Sequence, residues 1–202
     1  MLHLMLVRHG ETEWNKQRRY QGQLDIPLST FGRQQAELLG ERLIGKKIDA
    51  LYTSDLSRTS ETANIIAEMC GLQVLPEPRL REMNFGVLEG LTFEEGQAKY
   101  PEMIATWLDD YNQPPDGGEK LEDFTGRIHS LLDDLKRKHD GDILLLVTHG
   151  GFLGELLRQV FKLSLDGRWY FELENASLSE ILIYEEHLSL KKLNDTCHLI
   201  SL

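Results

Sequence analysis

Two histidines each follow a short apolar run, and this shared position suggests that they act together. The first run, Leu2–Val7, leads into Arg8 and His9, and the second, Ile143–Val147, leads into His149. Such runs are typical of strands buried on both faces of a parallel sheet, and ligands bind at the carboxyl ends of these strands. Imidazole is a competent nucleophile at neutral pH, and arginine gives planar, permanently charged recognition of anions. The sequence therefore predicts that two imidazoles and a guanidinium meet at one edge of a sheet.

The segments between these histidines alternate between helix and strand patterns. Ser29 is a plausible N-cap for a helix whose Ala36, Leu39 and Leu43 share one face, and Ala50–Thr53 resembles a strand. The other predicted elements are a helix ending near Cys70, helices over Leu121–Lys138 and Gly151–Phe161, and two late strands, Leu178–Tyr184 and Leu188–Leu193, which form a hairpin. We therefore expect an α/β fold with a mostly parallel central sheet and an antiparallel edge strand.

Length and composition set the domain organisation. With 202 residues and 41% hydrophobic content, the chain can bury one core, so we expect a single domain over residues 1–202. Between Phe85 and Gly118 the pattern weakens and is broken by prolines and glycines. We interpret this segment as a lid or specificity insertion.

The charge balance narrows the classes of partner. A net charge of −11 argues against nucleic acid and anionic membranes, so any anion must be attracted locally. No apolar run approaches the roughly 20 residues that span a bilayer. Cys70 and Cys197 are too few for a disulfide framework and lack metal-type spacing. We expect a cytoplasmic protein without a metal or other cofactor that acts on a small molecule, and the sequence leaves a homodimer open.

Five segments carry a more specific signal. They are LVRHGETEWN from Leu6, Gln21-Gly22, TSDLSRTSETA around Arg58, LREMNFGVLEG around Glu82, and VTHGG around His149. A fixed pentapeptide such as RHGET occurs by chance in about one in ten thousand chains of this length. In this order the segments resemble the histidine phosphatase superfamily, which contains cofactor-dependent phosphoglycerate mutases, broad-specificity phosphatases, fructose-2,6-bisphosphatases and alpha-ribazole phosphatases. The resemblance covers nearly the whole chain and implies a three-layer α/β/α sandwich of the phosphoglycerate mutase type.

The resemblance also implies catalytic roles. His9 would be the nucleophile that forms a phosphohistidine, with Arg8, Arg58 and His149 around the phosphoryl group and Glu82 as the proton donor. These roles suit the chemistry, because the transferring group carries negative charge on its equatorial oxygens and needs fixed positive donors. An alkoxide leaving group needs a proton, which a carboxyl group can donate and later take back from the attacking water.

Four further residues are candidates for substrate binding. Asn15, Gln21 and Gly22 match the loop that lines the phosphate pocket in the family. Gly150, with Gly151, places backbone N–H groups at a helix N-terminus, which favours anion binding. The side chains of Asn15 and Gln21 could instead satisfy backbone groups of their own loop.

Each catalytic candidate also has a plain structural interpretation. Taken alone, His149 is more often a structural histidine, Arg58 a solvated surface arginine and Glu82 a surface carboxylate. Only the motif context reverses these interpretations. We leave Cys197 and His198 outside the site, since nothing in their spacing demands a role.

One position departs from the family pattern. Lys120 ends the string GGEK, where many relatives have a serine that would cap the following helix. This departure puts the geometry of the helix start in doubt, but it leaves the catalytic set unaffected.

Three alternatives remain beside metal-independent hydrolysis of a phosphomonoester. A mutase needs additional positive charge, whereas Phe85–Gly118 contains a single basic residue, Lys99. A metallohydrolase built on His9 and His149 lacks a local ligand pair, and two arginines would oppose a cation. A non-catalytic sensor would not need every catalytic position filled. The resemblance implies alpha-ribazole 5′-phosphate as the best named substrate, because short bacterial members of the family include that phosphatase, followed by a broad range of sugar or glycolytic phosphates and by phosphoserine.

Overall fold

The computed structural model describes residues 1–164, 170–200 and 202, and within them six strands form one sheet. The strands are β1 (Leu2–Arg8), β2 (Ala50–Thr53), β3 (Val74–Pro76), β4 (Ile143–Thr148), β5 (Leu178–Ile183) and β6 (Leu188–Asp195). Their order is β3-β2-β4-β1-β5-β6. The first four of these neighbours run parallel, β5 is antiparallel to β1, and β6 is antiparallel to β5. The mostly parallel sheet with antiparallel edge strands is therefore confirmed.

Helices cover both faces of the sheet. They are α1 (Glu13–Lys16), α2 (Thr30–Leu43), α3 (Ser57–Cys70), α4 (Phe93–Lys99), α5 (Pro101–Asp109), α6 (Leu121–Lys138) and α7 (Gly150–Val160). One apolar cluster packs α6 and α7 on the sheet, and a second packs α2 and α3 on it. This arrangement is the expected three-layer α/β/α sandwich. No helix in the described part of the chain is long and apolar enough to cross a membrane.

Strand β1 shows why the sequence patterns predict the centre of the sheet so well. Leu4 and Leu6 are fully buried in the cluster with α6 and α7, whereas Met5 and Val7 are buried on the opposite face with α2 and α3. Because successive side chains point to opposite faces, a strand covered on both sides must be apolar at every position. The carboxyl end of β1 is consequently fixed from two sides.

The structure differs from the sequence prediction between the strong elements. Helix α1 and strand β3 were not predicted, and Phe85–Gly118 contains two helices, α4 and α5, where we expected mixed, broken segments. Pro101 does not interrupt a helix but occupies the first position of α5, where its missing N–H costs nothing. Helix α7 begins one residue earlier than predicted, at Gly150.

The start of α6 shows how the helix is capped although Lys120 replaces the serine of many relatives. The side chain of Lys120 makes no capping hydrogen bond, and Asn112 Oδ1 instead accepts the N–H of Glu122 at 2.9 Å. A side chain from the preceding loop thus replaces the missing serine cap. The predicted N-cap Ser29 does accept the N–H of Gly32, at 3.0 Å.

Candidate active site

Parallel pairing of β1 with β4 brings the two histidines together. Arg8 lies opposite Thr148 in the register, so His9 and His149 leave the sheet side by side. Their ring centroids are 5.3 Å apart. The two imidazoles therefore meet at the carboxyl edge of the sheet, where open parallel sheets bind their ligands.

His9 is held as a neutral imidazole with one nitrogen available. Its Nδ1 lies 2.7 Å from the carbonyl oxygen of Gly10, which can only accept, so Nδ1 carries the proton. Burial lowers the pKa of His9 well below 6.5, and the positive charges of Arg58 and Arg8 lower it further. The lone pair is consequently on Nε2 of a side chain that lines the cavity.

Arg58, near the start of α3, is fully buried and is not a surface residue. Its guanidinium donates to the carbonyls of Gly22 at 2.7 Å and Leu24 at 2.9 Å, and its Nε donates to Nδ1 of His149 at 3.2 Å. Burial lowers its pKa to about 10, and the nearby carboxylate of Glu82 opposes this shift. A guanidinium has five N–H groups, so these three bonds leave two N–H groups for a ligand.

His149 orients Arg58. Because its Nδ1 accepts from Arg58, its Nε2 carries the proton and donates to Ser54 Oγ at 3.0 Å. Burial lowers the pKa of His149 well below 6.5, followed by the charge of Arg58 and the neighbouring His9. It lies behind Arg58, and among the described residues it is not one of those that line the cavity. Protonation of Nδ1 on His149 would therefore require its hydrogen bond from Arg58 to break.

Arg8 contributes a buried donor that lacks an acceptor. Its Nη1 donates to the carbonyl of Leu173, whereas its Nε has no hydrogen-bond partner within the described part of the chain. Burial lowers its pKa, against the charges of Glu82 and Glu174. A Cβ at Gly150 would lie only 3.3 Å from this Nε, so the glycine gives the guanidinium room. A buried unpaired N–H is costly, which makes this position favourable for an anion.

The carboxylate of Glu82 is fixed by two backbone groups. Its Oε1 accepts the N–H of Met83 and its Oε2 accepts the N–H of Gly151, each at 2.9 Å. A Cβ at Gly151 would lie 2.5 Å from Oε1, so only glycine allows this approach. The Gly151 amide, which we expected to help bind an anion, is thus already engaged by Glu82. Gly150 remains at the helix N-terminus and lines the cavity.

Arg127, which the sequence patterns do not single out, supports the backbone at Glu82. Arg127 of α6 donates to the backbone carbonyls of Arg81 at 2.6 Å and Glu82 at 2.9 Å, while its guanidinium pairs with Glu119. No motif marks Arg127, and only its position on α6 opposite the LREM segment could have suggested this role.

The three loop candidates, Asn15, Gln21 and Gly22, all line the cavity, but they differ in the contacts that they already make. Asn15 closes a capping box with Thr12, whose N–H it accepts at 3.0 Å, so its oxygen serves the loop. Gln21 is buried, and its Oε1 has no partner among the described residues. Gly22 has a φ of +50°, and a Cβ there would collide with Glu89 at 1.9 Å.

A cavity of about 620 Å³ opens above these groups. We call its distal lining the outer wall, which comprises Tyr20, Phe85, Trp107, Leu108, Phe171, Glu172 and Glu174. The rings of Tyr20 and Phe85 pack at 5.1 Å, and those of Phe85 and Trp107 at 5.9 Å. The predicted insertion supplies three members of the wall. The stretch from Phe171 to Glu174 was not anticipated, because no motif or periodicity marks it.

Metal ligands are not grouped in the described ranges. No three side chains of His, Cys, Asp or Glu lie together so that they could hold a metal ion in residues 1–164, 170–200 and 202. Of the residues that the structure describes, the charged side chains that line the cavity are three arginines, Arg8, Arg19 and Arg58, and three glutamates, Glu82, Glu172 and Glu174.

Known proteins share both the sequence and this architecture. The chain is 37% identical over 200 residues to phosphoserine phosphatase 1 of Hydrogenobacter thermophilus, which covers 98% of this chain and 95% of that one. It is 41% identical over 186 residues to a Yersinia enterocolitica protein named "Probable phosphoglycerate mutase GpmB", covering 90% and 85%. The crystal structure of an alpha-ribazole phosphatase from Shigella flexneri superimposes with a TM-score of 0.87 at 28% identity, covering 96% of each chain. The profile of the histidine phosphatase superfamily (branch 1) matches residues 4–196, and the chain belongs to this family.

Proposed function

We propose that this chain hydrolyses small phosphomonoesters through a phosphohistidine on His9. One observation carries the proposal: the buried, neutral His9 has its lone pair on Nε2 and lies beside Arg8, whose buried Nε lacks an acceptor. A phosphoryl group placed between them gives that N–H its acceptor and the nucleophile its target.

In the first step, Nε2 of His9 attacks phosphorus and the ester P–O bond breaks. Glu82 donates a proton to the leaving oxygen, so the alcohol departs neutral. The free N–H groups of Arg8 and Arg58 compensate the charge on the equatorial oxygens. His149 contributes indirectly, because its Nδ1 accepts from Nε of Arg58 and so orients that guanidinium toward the phosphoryl group.

In the second step, water attacks the phosphorus of the phosphohistidine. The carboxylate of Glu82 takes the proton from this water, the P–N bond breaks, and inorganic phosphate leaves. His9 recovers its lone pair, and Glu82 is again protonated for the next ester. Each carboxyl oxygen has two lone pairs, so the backbone bonds from Met83 and Gly151 do not prevent this proton exchange.

The substrate class follows from the cavity and from the named relatives. A volume of about 620 Å³ admits a small metabolite, and aromatic faces on the outer wall offer apolar contact to a ring. Alpha-ribazole 5′-phosphate therefore stays our first named candidate, with phosphoserine and a broad range of phosphomonoesters as alternatives. A panel that contains all three, compared by kcat/KM, ranks them. The acidic chain fits a small-molecule substrate better than nucleic acid.

The phosphohistidine is tested by rapid acid quenching of the protein with a ³²P-labelled phosphomonoester. We expect acid-labile label on the wild type, none on His9→Ala, and a loss of activity of at least about 1,000-fold in that variant. His129→Ala, which removes a histidine that is 71% exposed, should behave as the wild type. A fully active His9→Ala protein would falsify the proposal.

Mutase activity is the principal competitor, because one relative carries that name. A further cation, Arg19, lines the cavity, but its guanidinium already pairs with Glu95 at 2.6 Å and with the carbonyl of Gly90 at 2.7 Å. We therefore expect phosphate release from phosphoglycerate without added bisphosphoglycerate. Isomerisation that outpaces phosphate release would favour the mutase.

We also propose that the reaction needs no metal. The hydrogen-bond donors at the inner end of the cavity are guanidinium, imidazole and amide groups, and the positive charges of Arg8 and Arg58 would repel a cation at this position. Full activity after dialysis against EDTA is expected. Activity that is lost with EDTA and restored by a divalent cation would contradict it.

A further inference from the structure

Residues 173–176, which we call the brace segment, contact the backbone of both catalytic residues at the end of β1. The N–H of Ala176 donates to the carbonyls of Arg8 at 3.0 Å and His9 at 3.1 Å. The Nδ2 of Asn175 donates to the same carbonyl of His9 at 3.0 Å. The carbonyl of Leu173 accepts from the guanidinium of Arg8. The brace segment therefore fixes the peptide that carries the nucleophile.

The brace segment is itself held from behind by the C-terminal turn Cys197–Leu199. His198 Nδ1 lies 3.0 Å from Nη1 of Arg42, and its Nε2 lies 3.1 Å from the carbonyl oxygen of Ala176. A guanidinium can only donate, so Nδ1 accepts and Nε2 carries the proton. His198 thus donates to Ala176, the residue whose N–H holds the catalytic pair.

Burial and the neighbouring Arg42 favour the neutral ring of His198. Together they lower the pKa of His198, while the hydrogen bond to Ala176 and the charge of Asp195 oppose that shift. Asp195 also holds Arg42 at 2.5 Å, so the donor to Nδ1 has a fixed position. The neutral ring with its proton on Nε2, which donates to Ala176, is consequently the state that burial and Arg42 favour.

The conformation of Ala176 explains why it needs support on both sides. It is fully buried and has a φ of +53°, in the left-handed region that a residue with a Cβ rarely adopts. Such a conformation persists only where the surroundings hold it in place. Here the N–H is held by Arg8 and His9, and the carbonyl is held by His198. Loss of the rear bond would free Ala176 to relax and withdraw its N–H from His9.

We propose that His198 is a positioning residue that acts on His9 through Ala176. The proposal rests on the proposed function of His9, and it assigns no contact between His198 and the substrate. It predicts that His198 sets the rate of phosphoryl transfer and leaves substrate binding largely unchanged.

The test compares His198→Ala with His198→Gln, because a glutamine amide can donate to Ala176 and accept from Arg42. For His198→Ala we expect kcat and the single-turnover rate of phosphoenzyme formation to fall about tenfold, since small displacements of a reacting group are costly. KM should stay within about twofold. His198→Gln should recover most of the rate, and His129→Ala should match the wild type.

Several outcomes would overturn the proposal. One is an unchanged rate of phosphoenzyme formation in folded His198→Ala, even if its Tm falls, because the histidine would then only stabilise the chain. Another is a glutamine variant as slow as the alanine variant. If the alanine variant does not fold, His198→Phe replaces it, because its ring fills similar space but cannot donate to Ala176, and a wild-type rate there counts against the proposal. A wild type that forms no phosphoenzyme would instead contradict the proposed function.

Discussion

The inner and outer parts of the cavity are built in different ways. The inner part, which we call the phosphoryl cradle, is lined by Arg8, His9, Arg58 and Glu82, and His149 lies behind Arg58. Arg8, His9 and His149 lie at strand ends, Arg58 lies at a helix start and Glu82 lies on a loop, and bonds to the backbone or to one another fix them. The outer wall comes from α5 and from loops, and it includes side chains as exposed as Leu108, at 42%. We therefore propose that the sheet and its hydrogen bonds position the chemistry, while the outer wall determines specificity.

The two parts also differ in charge. Arg58, which is fully buried, and Arg8, which is partly buried, make the cradle basic, whereas Glu172 and Glu174 add carboxylates to the outer wall. Buried charges act more strongly than exposed ones, because solvent screens them less. A chain of net charge −11 can therefore attract a phosphoryl group at one point and still be acidic elsewhere.

Glu82→Gln should produce the largest effect among the tests of this comparison. We expect kcat/KM for alkyl phosphates to fall at least about 100-fold, because the leaving alkoxide loses its proton donor. With p-nitrophenyl phosphate the loss should be much smaller, since that leaving group needs little protonation. Glu94→Gln, at an exposed carboxylate of α4, is the control. Equal losses with both esters would remove Glu82 from the role of acid.

The pH dependence tests the electrostatics of the cradle. Burial, Arg58 and Arg8 lower the pKa of His9, so the neutral nucleophile persists below pH 6.5 and kcat/KM falls only at lower pH. Arg58→Gln removes one positive charge, which raises the pKa of His9 and moves this acid limb to higher pH. The shift should be partial, because burial remains the larger cause.

Arg58→Lys is the matched variant for this shift. It keeps the charge and should keep the acid limb near that of the wild type, although both variants lose bidentate recognition and about 100-fold in kcat/KM. Acid limbs that coincide in the glutamine variant and the wild type would show that Arg58 does not control the pKa of His9.

Gly151→Ala probes the packing of the cradle. A Cβ would lie 2.5 Å from Oε1 of Glu82, so the carboxylate must move. We expect kcat to fall about tenfold, because the displaced acid no longer meets the leaving oxygen. Inhibition by inorganic phosphate should stay unchanged, because the arginines keep their positions. Gly126→Ala on α6, where a Cβ meets nothing within 4 Å, should leave kcat unchanged. A wild-type kcat in Gly151→Ala would contradict the close fit.

The sequence patterns predict the elements that the sheet core requires. Strand Ala50–Thr53 and helix Leu121–Lys138 have the bounds that their patterns predict. Both patterns arise from burial on defined faces, so they are visible along the chain without knowledge of distant partners. Strand β3 was missed because it has only three residues, and α4 and α5 were missed because prolines and glycines surround them.

The contacts of the site were harder to predict, because they join distant segments. Without its motif, Arg58 resembles a surface residue, yet its partners Gly22 and His149 lie 36 and 91 residues away and bury it completely. The same holds for His198, which reaches Ala176 across 22 residues and which we had left outside the site. Residue spacing alone carries no signal for such pairings, which only the folded sheet creates.

Leu108→Ala should produce the smallest effect, and one confined to the outer wall. Leu108 lines the cavity and is 42% exposed, whereas Leu190 on β6 is 39% exposed and lies away from it. For bulky aryl phosphates we expect KM to rise about fivefold in Leu108→Ala, the factor for about 1 kcal/mol of lost apolar contact. For small alkyl phosphates KM and kcat should not change, because such esters fill only the cradle. Leu190→Ala should leave every constant unchanged. If both classes of ester lost activity equally in Leu108→Ala, the wall would influence the chemistry and the division between the two parts would fail.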